Sequence, residues 1–231
     1  MIAIKFYIPP NLEGDFKDWL ATDVAHANYD FELIRNWYEQ DPETKVTLRA
    51  LYFPINWKSK IGNSDANSNF KTSYDVTLHK GDIVVRNDGD IYMLNWKVQN
   101  MPNNQSTQAV DCNAKLIFTR HINEELDSQG YLIAEAHDEV IAPEIPCVFS
   151  EYTGRPDYAT SYNTPGINPD HLLTVQVQWN DRTSQLRMGD EFRLHHSTYR
   201  VVDVVTTEVD IDGQFGILNL MARRVAGKES I

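Results

Sequence analysis

The chain of 231 residues is 42% hydrophobic and carries a formal charge of −12 with a sequence pI near 4.9. That is enough apolar content for one large or two small domains, each with its own core, and two is the expectation. The acidic balance excludes a protein that grips nucleic acid by neutralising phosphates, which needs a surplus of Lys and Arg on one face.

At the start, MIAIKFYIPP sets a Lys among few apolar residues and two prolines straight after them, so neither a signal h-region nor a membrane span can be drawn. The chain is expected to be soluble and unexported, and without export a disulfide between Cys112 and Cys147 is not expected. Two thiols alone make no zinc site, so both are read as small apolar residues. Phe16, Trp19, Leu20 and Val24 fall near helical spacing after Gly14 and Asp15, which predicts a short amphipathic helix.

Strands then take over. DFELIRNWYEQ and VTLRALYFP, split by DPETK with its turn-forming Pro42, predict a hairpin. A polar loop, NWKSKIGNSDANSNFKTS, leads into YDVTLHKGDIVV, where Val76 and Leu78 alternate with polar partners. Asn87, Asp88 and Gly89 tolerate positive φ and would join GDIVV to DIYMLNW. QNMPNNQSTQ reads as another polar loop, and NAKLIFTR, with Leu116 and Phe118 on one face, as a returning strand.

The second half follows the same order. YLIAEAHDEVIAPEIPCVFSEY is an apolar stretch broken by prolines, TGRPDYATSYNTPGINPD a long loop, LLTVQVQW an alternating strand, and MGDEFRLHHSTYRVVDVV and GILNLMARRV close the series. Laid together, Gly81-Asp82 matches Gly189-Asp190, Tyr92 matches Tyr199, and the closing strands end in Arg120 and in Arg223 or Arg224. Any two hairpins share one such match; the recurrence of several in order predicts a duplicated β-domain. The expected architecture is mainly β: two small antiparallel β-barrels or β-sandwiches in tandem, residues 1–125 with the N-terminal helix and residues 126–231. The boundary is put in INEELDSQG, around Glu125.

No constellation for catalysis or metal binding emerges. His195 and His196 are adjacent, which on a strand sends the rings to opposite faces, and the bland reading is a turn beside Ser197. VDIDGQFG has two aspartates but lacks the further oxygen ligands and bidentate Glu of a calcium loop, so an Asp-Gly hairpin turn explains it more simply. Trp37, Tyr52, Trp96, Trp179 and Tyr199 fall on predicted strands, where burial is the ordinary fate of an aromatic. Tyr152, Tyr158 and Tyr162 lie in or beside the Pro-rich loop, where contacting a partner and packing back on their own barrel stand level.

The arrangement of FELIRNWYEQDPETKVTLRALYFP, the loop from Asn56 to Ser73, YDVTLHKGDIVVRNDGDIYML and NAKLIFTR resembles the head-closure (stopper) proteins of tailed bacteriophages, a head–tail connector family, with a weaker echo through Arg224. The resemblance implies a non-enzymatic virion protein of the phage neck, assembled in the host cytoplasm, without cofactor, metal or membrane. It implies a twelve-fold homo-oligomeric ring that continues or closes the DNA channel. A portal or adaptor protein would sit above, a tail-completion or tail protein below, and passing double-stranded DNA would be touched without sequence recognition. An acidic conduit would let a polyanion slide, where a basic one would hold it. Family members are usually single barrels, so the duplication leaves stopper, adaptor-associated and tail-completion positions all open.

In that setting the loops Ser59 to Thr72 and Thr153 to Asp170 become candidates for lumen or inter-ring contacts, level with an ordinary surface-loop reading. From the first loop come Lys58, Lys60, Asn63, Asp65, Asn69 and Lys71; from the second, Arg155, Asp157, Tyr158, Tyr162 and Asn163. The chief competing reading is a carbohydrate-binding or adhesin-like β-protein, which predicts a solvent-facing line of Trp or Tyr. An enzyme on a β-sandwich is the third.

Overall fold

The computed structural model describes residues 29–40, 46–54, 68–100, 104–126, 128–151 and 172–225. The expected N-terminal helix lies outside them. The described residues are almost all β, in two antiparallel six-stranded barrels in tandem. Among them, the first unit comprises Tyr29 to Ile34 and then continues to Val110; the second takes Arg35–Gln40 and everything from Asp111.

The first barrel is built from β1 (Tyr29–Ile34), β2 (Val46–Pro54), β3 (Ser68–Thr72), β4 (Ile83–Arg86), β5 (Ile91–Leu94) and β7 (Gln105–Asp111), with a short β6 (Gln99–Asn100) beside β7. The strand order is β3-β2-β1-β4-β5-β7, and pairing of β3 with β7 closes it. Alternation puts Phe31, Leu33, Leu48, Ala50, Phe70, Val84, Tyr92 and Leu94 inside. Phe31 and Phe70 meet edge to face with ring centroids 5.1 Å apart, a geometry that suits the ring quadrupoles.

The second barrel uses β8 (Ala114–Ile122), β11 (His137–Glu151), β12 (Leu172–Gln178), β13 (Glu191–Leu194), β14 (Ser197–Val209) and β15 (Gly216–Arg224). Its order is β11-β12-β15-β14-β13-β8, closed by β8 on β11. Leu116 and Phe118, expected on one face of NAKLIFTR, are both buried in its core, where Phe118 packs on Phe192. A separate two-stranded sheet, β9 (Glu125–Leu126) with β10 (Leu132–Ala134), interrupts the path from β8 to β11. Pro143 sits where the pairing of β11 with β8 slips register, between Ala142 and Ile145, with Glu144 at φ 35, and Pro146 follows just beyond the slip, opposite Lys115. A bulge is where a strand admits a proline and a left-handed residue.

The two barrels share one topology. In chain order, β1, β2, β3, β4, β5 and β7 have the neighbours that β8, β11, β12, β13, β14 and β15 have. The Gly-Asp turns agree bond for bond. Asp82 N–H donates to His79 O and Asp190 N–H to Arg187 O, each at 3.2 Å, around Gly81 at φ 90 and Gly189 at φ 97. Glycine is called for there because the third turn position needs positive φ. Gly81 N–H reaches Leu94 O at 2.8 Å, and Gly189 N–H reaches Val201 O at 2.9 Å. The carboxylates, each 1% exposed, turn back to accept from His79 N–H at 2.7 Å and Arg187 N–H at 2.9 Å. Leu78 and Leu186, one residue before each turn, are both buried. Tyr92 lies opposite Val84 and Tyr199 opposite Phe192, each two places beyond its Asp, so the tyrosine match holds in register.

Several expectations are corrected. NAKLIFTR, as β8, opens the second barrel; it does not close the first, and the units part at Val110 and Asp111, well before Glu125. Arg120 therefore does not correspond to Arg223 or Arg224. Ile34 lies opposite Ile83 and Thr119 opposite Glu191, so the residue that follows each, Arg35 and Arg120, occupies the same place. QNMPNNQSTQ is not wholly loop, since β7 begins at Gln105, whereas Val76 and Leu78 belong to no strand.

Candidate interaction surface

Each barrel has two ends of different character. At one end of the first barrel, β2 and β3 run out together at Pro54 opposite Ser68, and the connection of residues 55–67 leaves and returns between these paired strands. In the second barrel the connection of residues 152–171 does the same between β11 and β12, where Glu151 lies opposite Leu173. Both long loops thus join equivalent neighbours. Lys58, Lys60, Asn63, Asp65, Arg155, Asp157, Tyr158, Tyr162 and Asn163 lie outside the described residues. Asn69 and Lys71 are strand residues of β3, on the face opposite buried Phe70 and Thr72.

The β4–β5 hairpin shares that end of the first barrel. The Arg86 guanidinium lies 5.2 Å from the ring centroid of Tyr29 and 5.7 Å from those of Tyr52 and Tyr92. Its edge is held by Asp88, with Nε to Oδ2 at 2.7 Å, and by Asp90. The Arg86 bond holds the Asp88 carboxyl below its ordinary range and raises the guanidinium's own pKa; burial raises the Tyr92 phenol. This is a polar clasp over an aromatic core end, visible in sequence only as RNDGD. The corresponding turn of the second barrel is His195-His196, two residues long, with His195 at φ 55.

The opposite end of the second barrel carries the features that face outward. Arg120 Nε and Nη2 clasp Asp190 at 2.7 and 2.9 Å, and the same Nη2 donates to Gln185 O at 2.7 Å. Beyond this clasp the chain leaves β8 as the β9–β10 arm. Tyr131 is 69% exposed and Ile133 60%, with Leu126 and Leu132 about half exposed. Three consecutive exposed apolar residues after Gly130 form an unusual surface for a monomer, where apolar residues normally stand singly. The signal was in the sequence as GYLIA, but merging it with the following strand hid it.

Beside the arm, on the outer wall, lies a groove bordered by Lys115, Ile117, Thr119, Asp138, Glu191 and Arg193. It exists because β13 pairs with β8 only at Glu191 opposite Thr119 and Phe192 opposite Phe118. On its other side β8 is paired with β11 down to Ala114. The edge of β8 from Ala114 to Ile117 therefore fronts the groove without a strand paired to it among the described residues.

The chemistry available is modest. Burial pushes the Cys147 thiol up to about 12 and the Cys112 thiol higher still, so both stay protonated and unreactive near neutrality. No group of three or more His, Cys, Asp or Glu that could hold a metal ion occurs among the described residues. VDIDGQFG forms the β14–β15 turn: Asp210 Oδ1 accepts from Gln214 N–H at 2.7 Å and Phe215 N–H at 3.1 Å, an Asp-anchored turn. Trp37 and Trp179 pack against the second core, Tyr52 against the first, and Trp96 is half exposed. No family model, curated protein or solved structure matches the chain.

Proposed function

We propose that this chain is a structural protein of a tailed-phage neck, a head-completion or head–tail connector subunit that acts by packing against copies of itself and its neighbours. The observation that supports it best is the doubling of one barrel, with a long polar connection issuing between equivalent paired strands each time. Repeated barrels give a subunit broad, separated faces, as a closed ring of heterologous contacts requires. Two polar connections per subunit suit a lining or a grip on the next ring. The charge of −12 fits a conduit that phosphates slide through.

Light scattering on the purified protein, followed by electron micrographs with and without a portal ring, tests the reading. Discrete rings, or decoration of the portal, are expected. A monomer that ignores the portal and is retained by a glycan surface would favour the carbohydrate-binding alternative.

A further inference from the structure

We infer that the β9–β10 arm of one copy docks in the β8–β13 groove of a second copy, making a head-to-tail contact between identical chains. The arm calls for a partner. Its two strands pair only with each other among the described residues, through Leu132 opposite Leu126 and Ala134 opposite Glu125. A two-stranded hairpin is marginal alone in water, and the outer edges of β9 and β10 have no strand paired to them among the described residues. Its apolar residues Leu126, Tyr131, Leu132 and Ile133 are all exposed by about half or more.

The groove offers what the arm lacks. The unpaired edge of β8 between Ala114 and Ile117 is long enough to accept a strand the size of β10, Leu132–Ala134, by strand addition. Ile117, 44% exposed, supplies an apolar contact inside it.

Charge points the same way. The two carboxylates at the groove are already engaged, Glu191 by Arg200 at 2.7 Å and Asp138 by His121 at 2.8 Å. The cation Arg193 remains for an incoming surface, Lys115 Nζ lying 5.5 Å from the Trp37 ring centroid, and the arm brings Glu124 and Glu125, both exposed, just ahead of its apolar residues. Arm and groove are different surfaces of the chain, so the contact is heterologous and propagates into a ring or a filament according to its rotation.

The test uses the full chain with two variants on exposed residues: an arm variant, Leu132→Asp with Ile133→Asp, and a groove variant, Ile117→Asp with Arg193→Glu. Sedimentation should show concentration-dependent association of the parent protein and at least tenfold weaker association of each variant, with unchanged circular dichroism. An equimolar mixture of the two variants retains one intact arm and one intact groove, so it should form dimers and stop there. A parent protein that stays monomeric to about 100 µM, variants that associate as the parent does, or a mixture that forms no dimer would each overturn the inference. Should a variant unfold, Ile133→Cys with Ile117→Cys in one chain replaces it: oxidation should give a ladder of cross-linked oligomers, and cross-linking confined to monomers refutes the contact. The contact does not depend on a phage origin. Oligomers that fail to decorate a portal would leave it standing while removing the proposed function.

Discussion

A single buried carboxylate shows what the two turns have in common and where they part. Asp82 and Asp190 close the same loop, but Asp190 is met by Arg120 in a bidentate pair, whereas Asp82 has the His79 ring 3.6 Å away and an Oδ1 without a hydrogen bond among the described residues. Removing one member of a largely buried ion pair strands the other, so Asp190→Asn is expected to cost about 3 kcal/mol in urea unfolding. A cost under about 1 kcal/mol would show that Arg120 finds other partners. The Arg86–Asp88 pair gives a pH signature. The Asp88 pKa is lowered in the folded state, so its contribution is present above the unfolded value and fades as pH falls through the lower folded one. Arg86→Gln should flatten stability against pH below about 4, the ordinary range of an aspartate, relative to the parent. An identical profile in the two proteins would refute that role.

Strands were legible where their inward residues are aliphatic or aromatic and illegible where they are polar. β8 announces itself through Leu116 and Phe118, and β15 through GILNLMARR. β7 does not, because its buried positions are Gln105, Thr107, Ala109 and Val110, with only the last a large aliphatic. Missing β7 is what misassigned β8 to the first barrel and shifted the boundary. The reason for a buried glutamine is local: Leu78 N–H donates to its Oε1 at 3.0 Å, and its Nε2 donates to Val76 O at 2.8 Å. Gln105 thus supplies the hydrogen bonds that the strandless run before the Gly-Asp turn lacks, and a buried backbone group without a partner is costly. Gln105→Leu, although more apolar, is expected to destabilise by about 2 kcal/mol or more in chemical denaturation. A neutral or stabilising result would mean that water replaces the amide.

At the scale of the molecule, each barrel closes around its own core, so damage to one should stay local. Gly216 has φ 146, and a Cβ there would stand 2.5 Å from Glu208 O and from the Val209 Cα. Gly216→Ala should therefore cost about 1–3 kcal/mol or more, with lost hydrogen-exchange protection concentrated in residues 111–225. Equal loss of protection in residues 68–100 would instead mean that the barrels unfold as one. The acidic balance predicts that the chain leaves double-stranded DNA unshifted in a gel at physiological salt; a retarded band would require a basic face that the composition does not suggest. The duplication was readable from motif order alone, while the arm and groove were not, because they arise from how far two strands stay paired.

Two like barrels in one polypeptide give every strand a second possible berth while the chain is still collapsing. Ala109 and Ala222 occupy the same station, which sets Thr107 against Leu220 and Gln105 against Leu218 as counterparts. A β7 strand that strayed into the place of β15 would carry an amide into an aliphatic layer, and the converse error would leave the Leu78 amide unanswered. The divergence of the halves at these stations penalises strand exchange between them, the failure to which tandem repeats are prone.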